Sequence, residues 1–219
     1  MESSSTKENI LRKIRKALAQ PVPLPYPQQD INSPIYPDPG DDLSVLFAAE
    51  FTRLLGRFAY CINEEDLARQ VSLLISEKNW KEIYCKEESI KNIFKKSGFD
   101  HFSTKMLADS DVSITSCESL VARTGSIVLS AALTEGRTAS VYAPIHICIA
   151  RTSQLVYDVK DALQIIQQKY SNNLPSLITF ATGPSRTADI EKTLVVGVHG
   201  PREVYCFLVE EEQGVASSQ

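Results

Sequence analysis

The chain has 219 residues, of which 43% are hydrophobic and 23% charged, the balance of a globular protein long enough to bury one full core. No apolar stretch approaches the ~18 residues of a membrane span, and the N-terminus lacks the apolar centre of a signal peptide, so a cytoplasmic protein is expected. The net charge of −4 is uneven: the first 20 residues hold five bases against two acids, which leaves −7 on the rest, and an acidic body is a poor host for nucleic acid.

In chain order, Ser5-Thr6 followed by Glu8 opens a helix that places Ile10, Ile14, Ala17 and Leu18 on one face and bases on the other. Such a basic amphipathic helix suits an arm packed on its own body or on a second copy, so a homodimer stays open. Between Pro21 and Gly40 lie seven of the chain's 11 prolines, the composition of an extended strap. The domain reading is therefore an N-terminal helix and strap over 1–40 and a single α/β domain over 41–219.

Asp41 or Asp42 caps a predicted helix running to about Leu55, with Leu43, Leu46, Phe47, Phe51 and Leu54 at helical spacing. Phe58 to Ile62 reads as a strand. Asn63 with Glu64-Glu65-Asp66 opens a second helix, Ile83 to Cys85 is a buried strand, and Glu87 to Lys96 is a third helix stopped by Gly98. Strands alternating with helices predict a parallel sheet in an α/β layer architecture.

Asp111 to Thr115 is the next strand, Ser116 to Thr124 a short helix or turn, and Ser126 to Ser130 a strand. A polar insert at 134–138 precedes Val141-Tyr142. In the strand from Ile145 to Ala150, alternation puts His146 and Cys148 on one face and Ile145, Ile147 and Ile149 on the other. Gln154 to Tyr170 carries the clearest helical periodicity, and the tail beyond Glu210 is expected to fray.

The last third holds the densest chemistry. A β-prone run through Ile178 and Phe180 breaks at Gly183-Pro184, and Ser185, Arg186, Thr187 and Asp189 follow. Two hydroxyls, a guanidinium and the free N–H groups and positive end of a new element make an anion site there. The duller alternative is a turn in which Ser185 or Thr187 caps a helix and Arg186 pairs with Asp189 or Glu191. A second break falls at Gly197, His199, Gly200 and Pro201, before a strand from Val204 to Val209. The five cysteines and three histidines are scattered, with no Cys-x-x-Cys or His-x-x-x-His, so no disulfide framework, metal site or cofactor is expected in this chain.

Thr182-Gly183-Pro184-Ser185-Arg186-Thr187-Ala188-Asp189-Ile190-Glu191, with Val196-Gly197-Val198-His199-Gly200-Pro201, resembles the signature of the lactate-utilization (LUD) domain family, the LutC/YkgG-like proteins. Arg123-Thr124-Gly125-Ser126, Pro144-Ile145-His146 and Ser153-Gln154-Leu155-Val156 fall in the family's order, and the resemblance covers roughly Leu43 to Val209. It implies a fold like the NagB/RpiA/CoA-transferase group, a parallel-rich sheet flanked by helices. It also implies a cluster-free subunit of a system that oxidises L-lactate to pyruvate, with iron–sulfur clusters on partner proteins. Many relatives carry an acid where Arg123 stands.

On that resemblance a small anionic ligand sits between the two signature loops. Thr124, Gly125, Ser126, Gly183, Ser185, Arg186, Thr187, Asp189, Glu191 and Gly200 are the candidate binding residues, and His199 or His146 the candidate general base. Two alternatives stay open: an assembly or regulatory module without catalysis, and a transferase or isomerase acting on a CoA-linked or phosphosugar substrate.

Overall fold

The structure is a computed structural model and describes residues 3–19, 36, 40, 42–133, 138–171, 173–187, 195–197 and 199–211. The chain forms two units, Met1–Asp38 and Pro39–Gln219. In the first, helix α1 (Ser3–Leu18) ends on Arg15 and Lys16, cations placed where a helix C-terminus is negative. Most of the strap expected over 21–40, the polar insert at 134–137 and the tail from 212 onward lie outside the described residues.

The second unit opens with α2 (Leu43–Arg53), capped by Asp42, whose Oδ1 accepts from the Ser44 N–H at 2.8 Å. Five strands then build one parallel sheet: β1 (Arg57–Cys61), β2 (Ile83–Tyr84), β3 (Val112–Thr115), β6 (Ile145–Arg151) and β11 (Glu203–Val209), in the order β1-β11-β6-β3-β2. Every neighbouring pair is parallel, as the alternation with helices α3 (Glu64–Lys78) and α4 (Glu88–Lys96) requires.

One face of this sheet, through Ile145, Ile147 and Ile149, packs on Leu67, Val71 and Ile75 of α3 and on Ile90 and Phe94 of α4. The other face, through Cys148, Val204, Cys206 and Leu208, meets Phe47 and Phe51 of α2 together with Leu120, Ile127 and Leu129. The alternation expected along the strand from Ile145 is thus present in the packing. All five cysteines are free and buried, acting as small core residues.

Leu120, Ile127 and Leu129 belong to a second sheet that the strand pattern did not anticipate. It holds β4 (Ser119–Val121), β5 (Ser126–Ser130), β7 (Leu155–Val156) and β8 (Ile178–Ala181) in the order β7-β4-β5-β8, antiparallel except between β4 and β7. Ser116–Thr124, expected as a helix or turn, therefore holds a strand followed by a 3-10 turn at Ala122–Thr124. The helix expected from Gln154 starts later, as α6 (Val159–Tyr170), because Leu155 pairs with Leu120 in the sheet before Asp158 caps the helix.

Helix α6 closes the outer side of the second sheet through Ala162 and Ile166 against Val121 and Val128. A buried carboxylate fastens it. Glu118 accepts from Ser130 Oγ at 2.5 Å, Tyr170 OH at 2.8 Å and Lys169 Nζ at 2.8 Å. Burial pushes this carboxyl up, but the bonds from Lys169, Ser130 and Tyr170 outweigh it and hold the group below its ordinary range.

Candidate functional site

The two signature bends meet. The Ser185 N–H donates to the Pro201 carbonyl at 3.0 Å, and the Gly197 N–H donates to the Ser185 carbonyl at 2.9 Å. Gly200 sits so close to Ser185 that a Cβ on it would lie 2.9 Å from the serine Cβ. Hence a side chain at Gly200 would push the loops apart.

Beyond Ser185 the chain departs from expectation. Arg186–Thr187 is strand β9, paired antiparallel with β10 (Val195–Val196). At Arg186–Thr187 the new element is therefore a strand, which brings no helix dipole of its own, and residues 188–194, Asp189 and Glu191 among them, lie outside the described residues.

Arg186 is exposed, and its Nη2 donates to the Leu54 carbonyl at 2.6 Å. Leu54 is the C-cap of α2, so the guanidinium covers a carbonyl at the negative end of that helix. Gly183, at φ +81°, lies against the same carbonyl, where a Cβ would collide with the Leu54 oxygen. Gly125, at φ +58°, does likewise one turn earlier: a Cβ there would stand 2.5 Å from the Phe51 nitrogen. Between the two glycines runs a hydroxyl chain, Thr124 Oγ1 to Ser126 Oγ at 2.8 Å and Ser126 Oγ to Thr182 Oγ1 at 2.8 Å. Thr124, Gly125, Ser126, Gly183 and Arg186 therefore gather at the end of α2, sealing β5 and β8 onto it.

Arg123 has a structural partner. Its Nη2 donates to Asp158 Oδ1 at 2.7 Å, and Asp158 also accepts from the Val159 N–H as the N-cap of α6. The hydrogen bond from Arg123 holds the Asp158 carboxyl below its usual range.

A hollow of about 450 Å³ opens beside the second bend, lined by Val141, Tyr142, Pro144, Gly197, His199, Gly200 and Arg202. Pro144 and Arg202 immediately precede β6 and β11, and the Arg202 N–H donates to the Pro144 carbonyl at 2.8 Å. The hollow therefore sits at the amino end of two neighbouring parallel strands. The Arg202 stem lies over Gly197, in space that a side chain would fill. Of the sequence candidates, His199 and Gly200 line this hollow directly, and Ser185 backs it through Pro201. Arg202 and Tyr142 were missed. The only sequence signal for Arg202 was its place directly after His199-Gly200-Pro201.

His146 does not line it. The imidazole is 1% exposed, Nε2 lies 2.8 Å from Thr115 Oγ1, and Nδ1 has no hydrogen-bond partner among the described residues. Burial pulls its pKa down to about 4, so the ring is neutral at physiological pH.

At the opposite end of the same sheet a hollow of about 500 Å³ is lined by Asn63, Glu64, Glu65, Arg151, Glu210 and Glu211. The Arg151 guanidinium there is tied to Glu64 at 2.6 Å. Four carboxylates make that end repel anions, whereas among the described residues the hollow at the amino end has a guanidinium and an imidazole and no carboxylate in its lining.

Fold and site together define a layered α/β protein with two interlocked glycine bends beside a cationic hollow. The chain belongs to the LUD domain family, whose model matches residues 46–209. Lactate utilization protein C 1 of Bacillus mycoides is 32% identical to it over 167 residues, covering 68% of this chain and 71% of the relative. An uncharacterized protein of Neisseria meningitidis serogroup B is 25% identical over 94% of each chain. A crystal structure of a DUF162 family protein from Deinococcus radiodurans has the same fold, with a TM-score of 0.56 over 76% of this chain and 96% of that one at 20% identity.

Proposed function

We propose that this chain is the subunit of an L-lactate-oxidising system that carries no iron–sulfur cluster of its own, and that it binds a small carboxylate in the hollow beside His199 and Arg202. The observation that supports this most is the pairing of a guanidinium and an imidazole in one open hollow of about 450 Å³, held by the loops that mark a lactate-utilization family. The Arg202 fork takes the carboxylate through two parallel N–H donations. His199 accepts the proton of the 2-hydroxyl group. Loss of that proton, and of a second proton from the C2–H bond to solvent with release of that bond's two electrons, turns the 2-hydroxy acid into a 2-oxo acid. The electrons leave to an acceptor on a partner protein, in this reading an iron–sulfur protein.

Lactate-dependent dye reduction by the chain reconstituted with those partners tests this. Arg202→Ala is expected to lower kcat/KM by about tenfold to a hundredfold, the usual worth of a charge-assisted bond. Arg69→Ala, on the exposed face of α3, is expected to leave the rate alone. A full rate in Arg202→Ala contradicts the proposal and favours the assembly role.

A further inference from the structure

The wall of the amino-end hollow is made in an unusual way. In the short helix α5 (Ala139–Tyr142) and the residue after it, the small side chains go inward: Ala139 is 1% exposed, Ser140 6% and Ala143 1%. The two large ones go outward, Val141 at 41% and Tyr142 at 65%. This segment is pinned in that orientation. The Val141 and Tyr142 N–H groups both donate to the Thr138 carbonyl at 3.0 Å, and buried Ser113 Oγ donates to the Ala139 carbonyl at 2.6 Å. An aromatic ring and a branched aliphatic chain thus share the lining of one hollow with Arg202 and His199.

A ligand's flat face laid on this ring and chain removes apolar surface from water, which favours binding. A hollow of about 450 Å³ also lies within the range that takes ligands far larger than a three-carbon acid. We infer that this hollow accepts a ring-bearing anionic ligand of mononucleotide size, its charge on Arg202 and His199 and its flat ring against Tyr142. The inference rests on the reading of the hollow as an anion site and adds the class of ligand. A molecule of this kind and a small carboxylate compete for the same guanidinium, so the ring-bearing ligand gates access of the small acid.

Calorimetric titration of the full chain with AMP, nicotinamide mononucleotide and FMN, against ribose 5-phosphate and inorganic phosphate, tests it. At least one of the three ring-bearing monophosphates is expected to bind about tenfold or more tighter than ribose 5-phosphate, the ordinary share of one base stacked on an aromatic side chain. Tyr142→Ala brings that ratio close to one, and Tyr142→Phe restores it. If none of the three exceeds ribose 5-phosphate, or if Tyr142→Ala leaves the ratio intact, the inference is overturned. Lactate binding that depends on Arg202, found without any ring preference, removes this inference alone and leaves the proposed function standing. Loss of Arg202 dependence for every anion removes both.

Discussion

His146 stays uncharged because its ring lies wholly inside the protein, with the Thr115 hydroxyl as its hydrogen-bond partner among the described residues, and that has a consequence for stability. Its folded pKa is about 4 against an ordinary 6.5, so the unfolded chain takes up the proton first as pH falls. Stability from the neutral ring is complete above 6.5 and is lost as pH falls toward 4. Urea unfolding should therefore show a lower midpoint at about pH 5 than at about pH 7.5, and His146→Gln should shrink that difference. An equal pH dependence in the variant would mean that the imidazole is not the group responsible. His146 was visible in the sequence as a candidate base, but alternation alone could not say whether its face of the strand looked into a cleft or into the core. Arg123 is similar. Its ion pair with Asp158 spans 35 residues, beyond the reach of any local pattern.

Among the elements, α2 is where the signature glycines act. Gly125 precedes β5 and Gly183 follows β8, at the ends of two strands of the second sheet, yet both press their bare Cα atoms on the end of this helix. Gly125→Ala would force a positive φ on an L-residue and drive a methyl group into the Phe51 backbone, at about 2 kcal/mol or more. Thermal unfolding should show that loss as a marked fall in Tm, and a Tm within a degree or so of wild type would refute the close approach. The parallel strands and the helices between them were legible from apolar periodicity and from the caps at Asp42 and Asn63. The second sheet was not. Its strands at Ser119–Val121 and Leu155–Val156 have three and two residues, too few for a period to register, and their pairing overrides the helical spacing that Leu155 suggests.

For the molecule as a whole, charge divides the parallel sheet between its ends: carboxylates gather at the carboxyl end and a guanidinium with an imidazole at the amino end. The sequence named the two bends, because glycine, proline and polar residues mark turns whatever their surroundings, and the family resemblance supplied the expectation that they lie together. It chose Arg186 as the anion clamp, since that residue lies inside the signature. In the structure Arg186 covers the end of α2, while Arg202 reaches the hollow only because β6 and β11 are neighbours, a fact of topology. The most direct measurement is therefore calorimetric titration of the purified chain with L-lactate and pyruvate in wild type, Arg202→Ala and Arg186→Ala. The expected result is binding that falls about tenfold or more in Arg202→Ala and holds in Arg186→Ala. Binding that survives Arg202→Ala and vanishes in Arg186→Ala would place the ligand at the end of α2 and contradict the account.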